Sequence, residues 1–131
     1  MMLSEGEFLF IYNSNQLEDK RARGYAITID KLKINEIDIH KDHLTPKQIA
    51  EIADILDVSI GDLYREGSRS AYEQFTDEEL IKVLAQDASK MRTPIVLSKE
   101  ASFFVGSSFE LIKEKLETYE IQEEHANKSE R

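Results

Sequence analysis

The sequence predicts an α/β fold, a sheet flanked by helices with a helical segment inserted in its middle, and three observations predict it. Phe8-Leu9-Phe10-Ile11-Tyr12 is apolar at every position, the pattern of a strand covered on both faces. Residues 41 to 90 carry three closely spaced helix starts and no strand pattern. After Thr93-Pro94 the strand signal returns in two short apolar runs.

The elements follow in order. Phe8 to Tyr12 is read as a central strand. Asn13-Ser14-Asn15 is a polar turn with side chains suited to capping, and Gln16 to about Ile29 reads as helix with Gly24 as a weak point. Ile34, Ile37 and Ile39, separated by polar residues, suggest a second, less buried strand ending near His40. A strand-helix-strand unit of this length implies parallel, right-handed pairing. Thr45-Pro46-Lys47-Gln48 is a capping box with proline at the first helical position, and Ile49, Ile52, Ala53 and Leu56 follow at helical spacing. Ser59 is positioned to cap a short helix holding Leu63 and Tyr64. Thr76-Asp77-Glu78-Glu79 is a second capping box, its acids favoured by the helix dipole, ahead of Leu80, Val83 and Leu84. Ile95-Val96-Leu97 and Phe103-Phe104-Val105, joined through Ser98-Lys99-Glu100, read as a hairpin. Ser107-Ser108-Phe109-Glu110 opens a last helix with Phe109, Ile112, Leu116 and Tyr119 on one stripe. The expected organisation is a single domain over residues 1–131: a core from 1–40 and 91–121, a helical insert at 41–90 and a polar tail at 122–131.

Composition narrows the function. The 40% apolar residues suit a folded globule, while 17 basic against 26 acidic residues give a net charge of -9, which repels phosphate backbones. The densest basic stretch, Lys20, Arg21 and Arg23, is short and follows Glu18 and Asp19, so direct nucleic-acid binding is not expected. The longest apolar run, Phe8 to Tyr12, is too short to span a bilayer, and the acidic N-terminus lacks the positive region of a signal peptide; the expected location is cytoplasmic, away from membrane. There are no cysteines, which removes disulfides, thiolate nucleophiles and cysteine metal sites together.

The order strand-helix-strand, helical insert, strand-strand-helix is similar to the thioredoxin/glutaredoxin-like fold of the arsenate reductase (ArsC) family and its Spx-type regulators. Ile11-Tyr12-Asn13-Ser14-Asn15-Gln16-Leu17 with Lys20-Arg21 resembles the family's first strand and active-site loop, where a Tyr-x-Asn-Pro-x-Cys run leads into a Ser-Arg helix start. Leu44-Thr45-Pro46 through Leu56, Gly61-Asp62-Leu63-Tyr64-Arg65, Phe75 to Ile81, and Arg92-Thr93-Pro94-Ile95-Val96-Leu97 resemble later family segments, with Val105-Gly106 closing the hairpin. The match spans roughly residues 8 to 118, and order and spacing carry it rather than one motif.

The departures bear most on function. The family nucleophile falls at Leu17 or Gln16, neither of which attacks an oxyanion. Of the three arginines the resemblance implies for oxyanion binding, Arg65 holds the first position; Thr93 stands before Pro94 with Arg92 one residue early, and Gly106 lies near the third. Each lost charge-assisted contact removes about 1.5 to 3 kcal/mol. The resemblance therefore implies a member without thiol redox chemistry, a binding or regulatory module for a protein partner; the alternative is a reductase or transferase that borrows the thiol of bound glutathione. No catalytic residue is assigned and no cofactor is required, with glutathione the one candidate.

The candidate binding residues are Asn13, Ser14, Asn15, Arg21, Arg65, Arg92, Thr93 and Pro94. Asn13 to Asn15 lie where a helix start offers free N–H groups to an anion, although capping alone explains such residues. The resemblance implies a cis Thr93-Pro94 bond whose preceding backbone pairs with an extended peptide; the other reading is a proline that begins a strand. Arg65 either binds an anion or pairs with Asp62 or Glu66. His40, Asp42 and His43 lack a fourth ligand and helical spacing, so they read as a solvated loop and not a metal site.

Overall fold

The computed structural model describes residues 3–28 and 33–105. Strand β1 (Glu7–Tyr12) leads through a tight turn into helix α1 (Leu17–Ala26), and β2 (Lys33–Asp38) returns parallel to β1, pairing Phe10 with Glu36 and Ile11 with Ile37. Helices α2 (Pro46–Leu56) and α3 (Asp77–Gln86) follow, and the hairpin of β3 (Ile95–Leu97) and β4 (Phe103–Phe104) completes the sheet. β3 runs antiparallel to β1 and to β4, giving a mixed four-stranded sheet in the order β2-β1-β3-β4. This is the thioredoxin-like architecture that the element order predicts. Among the described residues no helix is long and apolar enough to cross a membrane.

The unbroken apolar character of β1 has a direct structural cause. Phe8, Phe10 and Tyr12 pack on one face of the sheet against Ala22 and Ala26 of α1, with Val96 and Val105. Ile11 joins the opposite face, where Ile49, Ile52 and Ala53 of α2 meet Leu80 and Leu84 of α3. A central strand with cores on both sides has no face left for polar residues. β2, at the sheet edge, is largely polar instead: Lys33, Asn35 and Glu36 are exposed, Lys33 Nζ lies 2.8 Å from Glu7, and Glu36 takes the Arg23 guanidinium of α1.

Both capping boxes form. The Thr45 hydroxyl accepts from Gln48 N–H at 3.2 Å while Gln48 Oε1 accepts from Thr45 N–H at 2.9 Å, and Thr76 with Glu79 repeats the exchange at 3.2 and 3.0 Å. The Thr76 N–H and hydroxyl also hold the Glu79 carboxyl below its ordinary pKa. Replacing Thr76 with alanine is expected to lower the unfolding free energy by about 1 kcal/mol, read from the urea midpoint; an unchanged midpoint would show that α3 is held by packing alone.

Three boundaries depart from the sequence reading. α1 stops at Ala26 rather than near Ile29, as the Thr28 hydroxyl donates to the Tyr25 carbonyl at 2.6 Å and competes for the helix end. The α1 N-cap is Gln16, without a side-chain capping bond, because Asn13 and Ser14 bond elsewhere. The segment after Ser59 is a single 3-10 turn, Ile60–Leu63, and Tyr64 leaves it in extended conformation to bridge Met91. The expected last helix, the polar tail and Gly106 lie outside the described residues.

Candidate functional site

The Tyr64–Met91 bridge determines where Arg65 sits. Arg92 N–H donates to the Leu63 carbonyl at 2.7 Å and Arg65 N–H to the Lys90 carbonyl at 2.8 Å, a two-bond ladder that holds Arg65 beside Arg92 and Thr93. Tyr64 anchors it: its hydroxyl donates to the Leu80 carbonyl at 2.7 Å, and burial pushes its pKa up to about 12. Thr93, buried, precedes a cis peptide bond to Pro94, as the resemblance implies.

Asp19 stands at the centre of the site. It is 1% exposed, on the same face of α1 as Ala22 and Ala26. Its Oδ2 accepts from the Asn13 N–H at 2.9 Å and from the Thr93 hydroxyl at 2.5 Å, and lies 3.8 Å from Arg65 Nη2. Arg65 Nη2 in turn donates to the Thr93 hydroxyl at 2.9 Å, so Thr93 relays between the guanidinium and the carboxylate. Burial raises the Asp19 pKa against the lowering effects of Thr93, Asn13 and Arg65. Arg65 Nε is buried with no hydrogen-bond partner among the described residues.

Around this centre opens a cleft of about 780 Å³, lined by residues from the start of α1 (Gln16, Glu18, Asp19), the Gly61 to Arg69 segment, the Arg92-Thr93-Pro94 turn and Val105. Of the residues singled out in the sequence, Arg65, Arg92, Thr93 and Pro94 come together here. Arg21 does not; it is exposed and pairs with Glu18 at 3.2 Å. Asn13, Ser14 and Asn15 do not line the cleft either. Asn13 is buried with its Oδ1 accepting from Asn15 N–H at 2.9 Å, and Ser14 N–H donates to Asp38 at 3.0 Å. Burial would raise the Asp38 pKa, but the bonds from Ser14 and from His40 N–H outweigh it and hold the carboxyl low. Asn13 and the Ser14 N–H are thus engaged within the fold, while Asn15 is exposed. His40, Asp42 and His43 are solvent-exposed, and among the described residues no group of three His, Cys, Asp or Glu is placed to hold a metal ion.

Two positions of the cleft are not among the residues the sequence singles out. Asp19 sits in a charge run, Glu18-Asp19-Lys20-Arg21, that looks solvated; the signal was its spacing with Ala22 and Ala26, which marks the inward face of α1. Arg69 also lines the cleft, 3.7 Å from Asp62, with its guanidinium lying where a side chain on Gly61 would begin: a Cβ there meets it at 2.8 Å. Leu17, one of the two positions aligned with the family nucleophile, is the first residue of α1 and 62% exposed.

No protein-family model matches the chain, and no curated protein matches it in sequence. Solved structures do match in fold. An arsenate reductase from Vibrio cholerae superposes with a TM-score of 0.68 at 13% identity, covering 85% of this chain and 98% of that one. A structure titled as an ArsC family related protein from Bacteroides fragilis gives 0.61 at 15% identity, covering 75% and 90%. At these identities the likeness is one of fold: the chain has the architecture of arsenate reductase and ArsC structures.

Proposed function

We propose that this chain is a degenerate ArsC-type protein that serves as a binding or regulatory module for a protein partner, without thiol redox chemistry of its own. One observation carries the reading. The Asp19 carboxylate, held by the Asn13 N–H and the Thr93 hydroxyl and facing Arg65, stands where an anion bound by those same groups would stand. A second negative charge at that point faces like-charge repulsion in a poorly solvated site, so an oxyanion substrate is disfavoured by more than the missing nucleophile. The chain carries no cysteine, and Leu17 supplies only an exposed apolar side chain. What persists is a cleft with oriented backbone and guanidinium groups, which suits recognition.

The competing reading borrows the thiol of glutathione, held along Thr93-Pro94. Both are tested by arsenate reduction followed through NADPH consumption with glutathione, glutaredoxin and glutathione reductase supplied. The expected result is a rate equal to that without the protein. Turnover that scales with protein concentration, together with saturable glutathione binding by calorimetry, would replace the binding-module reading with the glutathione-dependent one.

A further inference from the structure

Arg92 differs from the other arginines of the cleft. Arg65 faces Asp19 and Arg69 faces Asp62, and Glu18 is engaged by Arg21 at the cleft's edge. Arg92 has its guanidinium carbon 4.1 Å from the centroid of the Phe104 ring, and among the described residues it has no hydrogen bond from its side chain and no carboxylate partner. A guanidinium lying over an aromatic face leaves the outer edge of its fork available to a bidentate acceptor, with part of its conformational entropy already lost. The remaining acid of the cleft lining, Glu66, likewise has no partner among the described residues. Glu66 and the net charge of -9 oppose anions in proportion to their charge, so a singly charged ligand is opposed least.

We infer that Arg92, seated on Phe104, is a recognition site for a single carboxylate of a ligand, selecting monoanionic carboxylates over phosphate and dicarboxylates. The inference rests on the cleft being a binding site, and adds the chemical class of what enters it. The carboxylate comes either from a small free acid or from an acidic residue of a peptide, and planar bidentate pairing serves both. A ligand as small as N-acetylglycine is expected to bind with a Kd of about 1 to 10 mM, given the limited affinity available per atom.

The test follows amide and arginine side-chain NMR shifts of the full chain at constant ionic strength. The titrants are N-acetylglycine, its neutral amide, succinate, inorganic phosphate, and a blocked tetrapeptide carrying an internal Glu or Gln. The expected result is saturable shifts at Arg92, Thr93 and Val105 with N-acetylglycine or with the Glu peptide, whichever source the site takes, and weaker binding of succinate and phosphate. R92Q is expected to weaken binding about tenfold and R92K about threefold, since lysine keeps the charge and loses the fork. E66Q is expected to narrow the preference over succinate. Phosphate binding as tightly as the monocarboxylate, or no saturable carboxylate binding, would overturn the inference. If the Glu and Gln peptides bind equally and R92Q leaves both unchanged, the carboxylate site falls while the binding cleft stands; glutathione-dependent turnover removes the module reading without touching Arg92.

Discussion

Replacing Asp19 with alanine is expected to lower the unfolding free energy by about 2 to 3 kcal/mol, because the Asn13 N–H and the Thr93 hydroxyl lose a charged, buried acceptor. The net loss is smaller than the sum of the broken bonds, since ionised Asp19 is itself penalised by burial. Asparagine, which keeps the shape and one acceptor oxygen, is expected to cost about 1 kcal/mol and to expose the same opposition in the pH profile. A carboxyl whose folded pKa is raised binds its proton more tightly in the folded state than in the unfolded one. The contribution of Asp19, measured against the non-titrating Asn, is therefore greatest at pH below the unfolded carboxylate value and declines as pH rises through the raised folded value. Asp38, held low, acts with the opposite sign and loses its contribution as pH falls, so only the difference between wild type and D19N isolates Asp19. Urea unfolding of both proteins from below the unfolded carboxylate value up to neutral pH measures that difference; a difference that grows with pH would contradict the assignment. D19A is further expected to acquire saturable phosphate or arsenate binding that the wild type lacks, as Asn13, Thr93 and Arg65 are left without their internal anion.

Arg65→Ala is expected to cost about 1.5 to 3 kcal/mol, below the range for breaking a fully buried pair because the Arg65 side chain is 28% exposed. It removes the donor to Thr93 and leaves Asp19 without its nearest positive charge, so the Asp19 pKa moves further upward. The informative measurement is the cycle with D19N. Residues sharing one network couple, and the double variant is expected to be more stable than the sum of the single losses predicts by about 1 kcal/mol. Strict additivity would mean that Arg65 and Asp19 act independently and that Thr93 does not connect them.

How much of this was legible in the sequence follows from where each signal resides. β1 announced itself because a strand between two cores excludes polar residues from both faces, and Phe8 to Tyr12 obeys that exclusion. α2 and α3 were legible at their starts because Thr45 with Gln48 and Thr76 with Glu79 act over three residues. The site was harder. Arg65, Thr93 and Pro94 stand out only through the family resemblance, and what joins them is a long-range pairing, Leu63 to Arg92 and Arg65 to Lys90, that leaves no periodic trace. Asp19 was hidden for the opposite reason: its neighbours Glu18, Lys20 and Arg21 are solvent-facing, and one inward carboxylate among them changes neither composition nor charge pattern. Asn13 and Ser14, which read as ligand or cap residues, are engaged by Asp19 and Asp38, partners beyond any local capping rule, and only the Asn13 bond from Asn15 N–H is the local turn contact that asparagine favours.

The polar edge at β2 bears on how the chain behaves in a crowded solution. An incoming strand from a second copy that docked along β2 would have to lie among Lys33, Asn35 and Glu36 and compete with the ties from Lys33 to Glu7 and from Glu36 to Arg23. Charged residues on an edge strand make sheet-to-sheet growth unfavourable without destabilising the sheet they belong to. The same ion pairs that fasten β2 to its neighbours thus discourage the protein from seeding its own fibres.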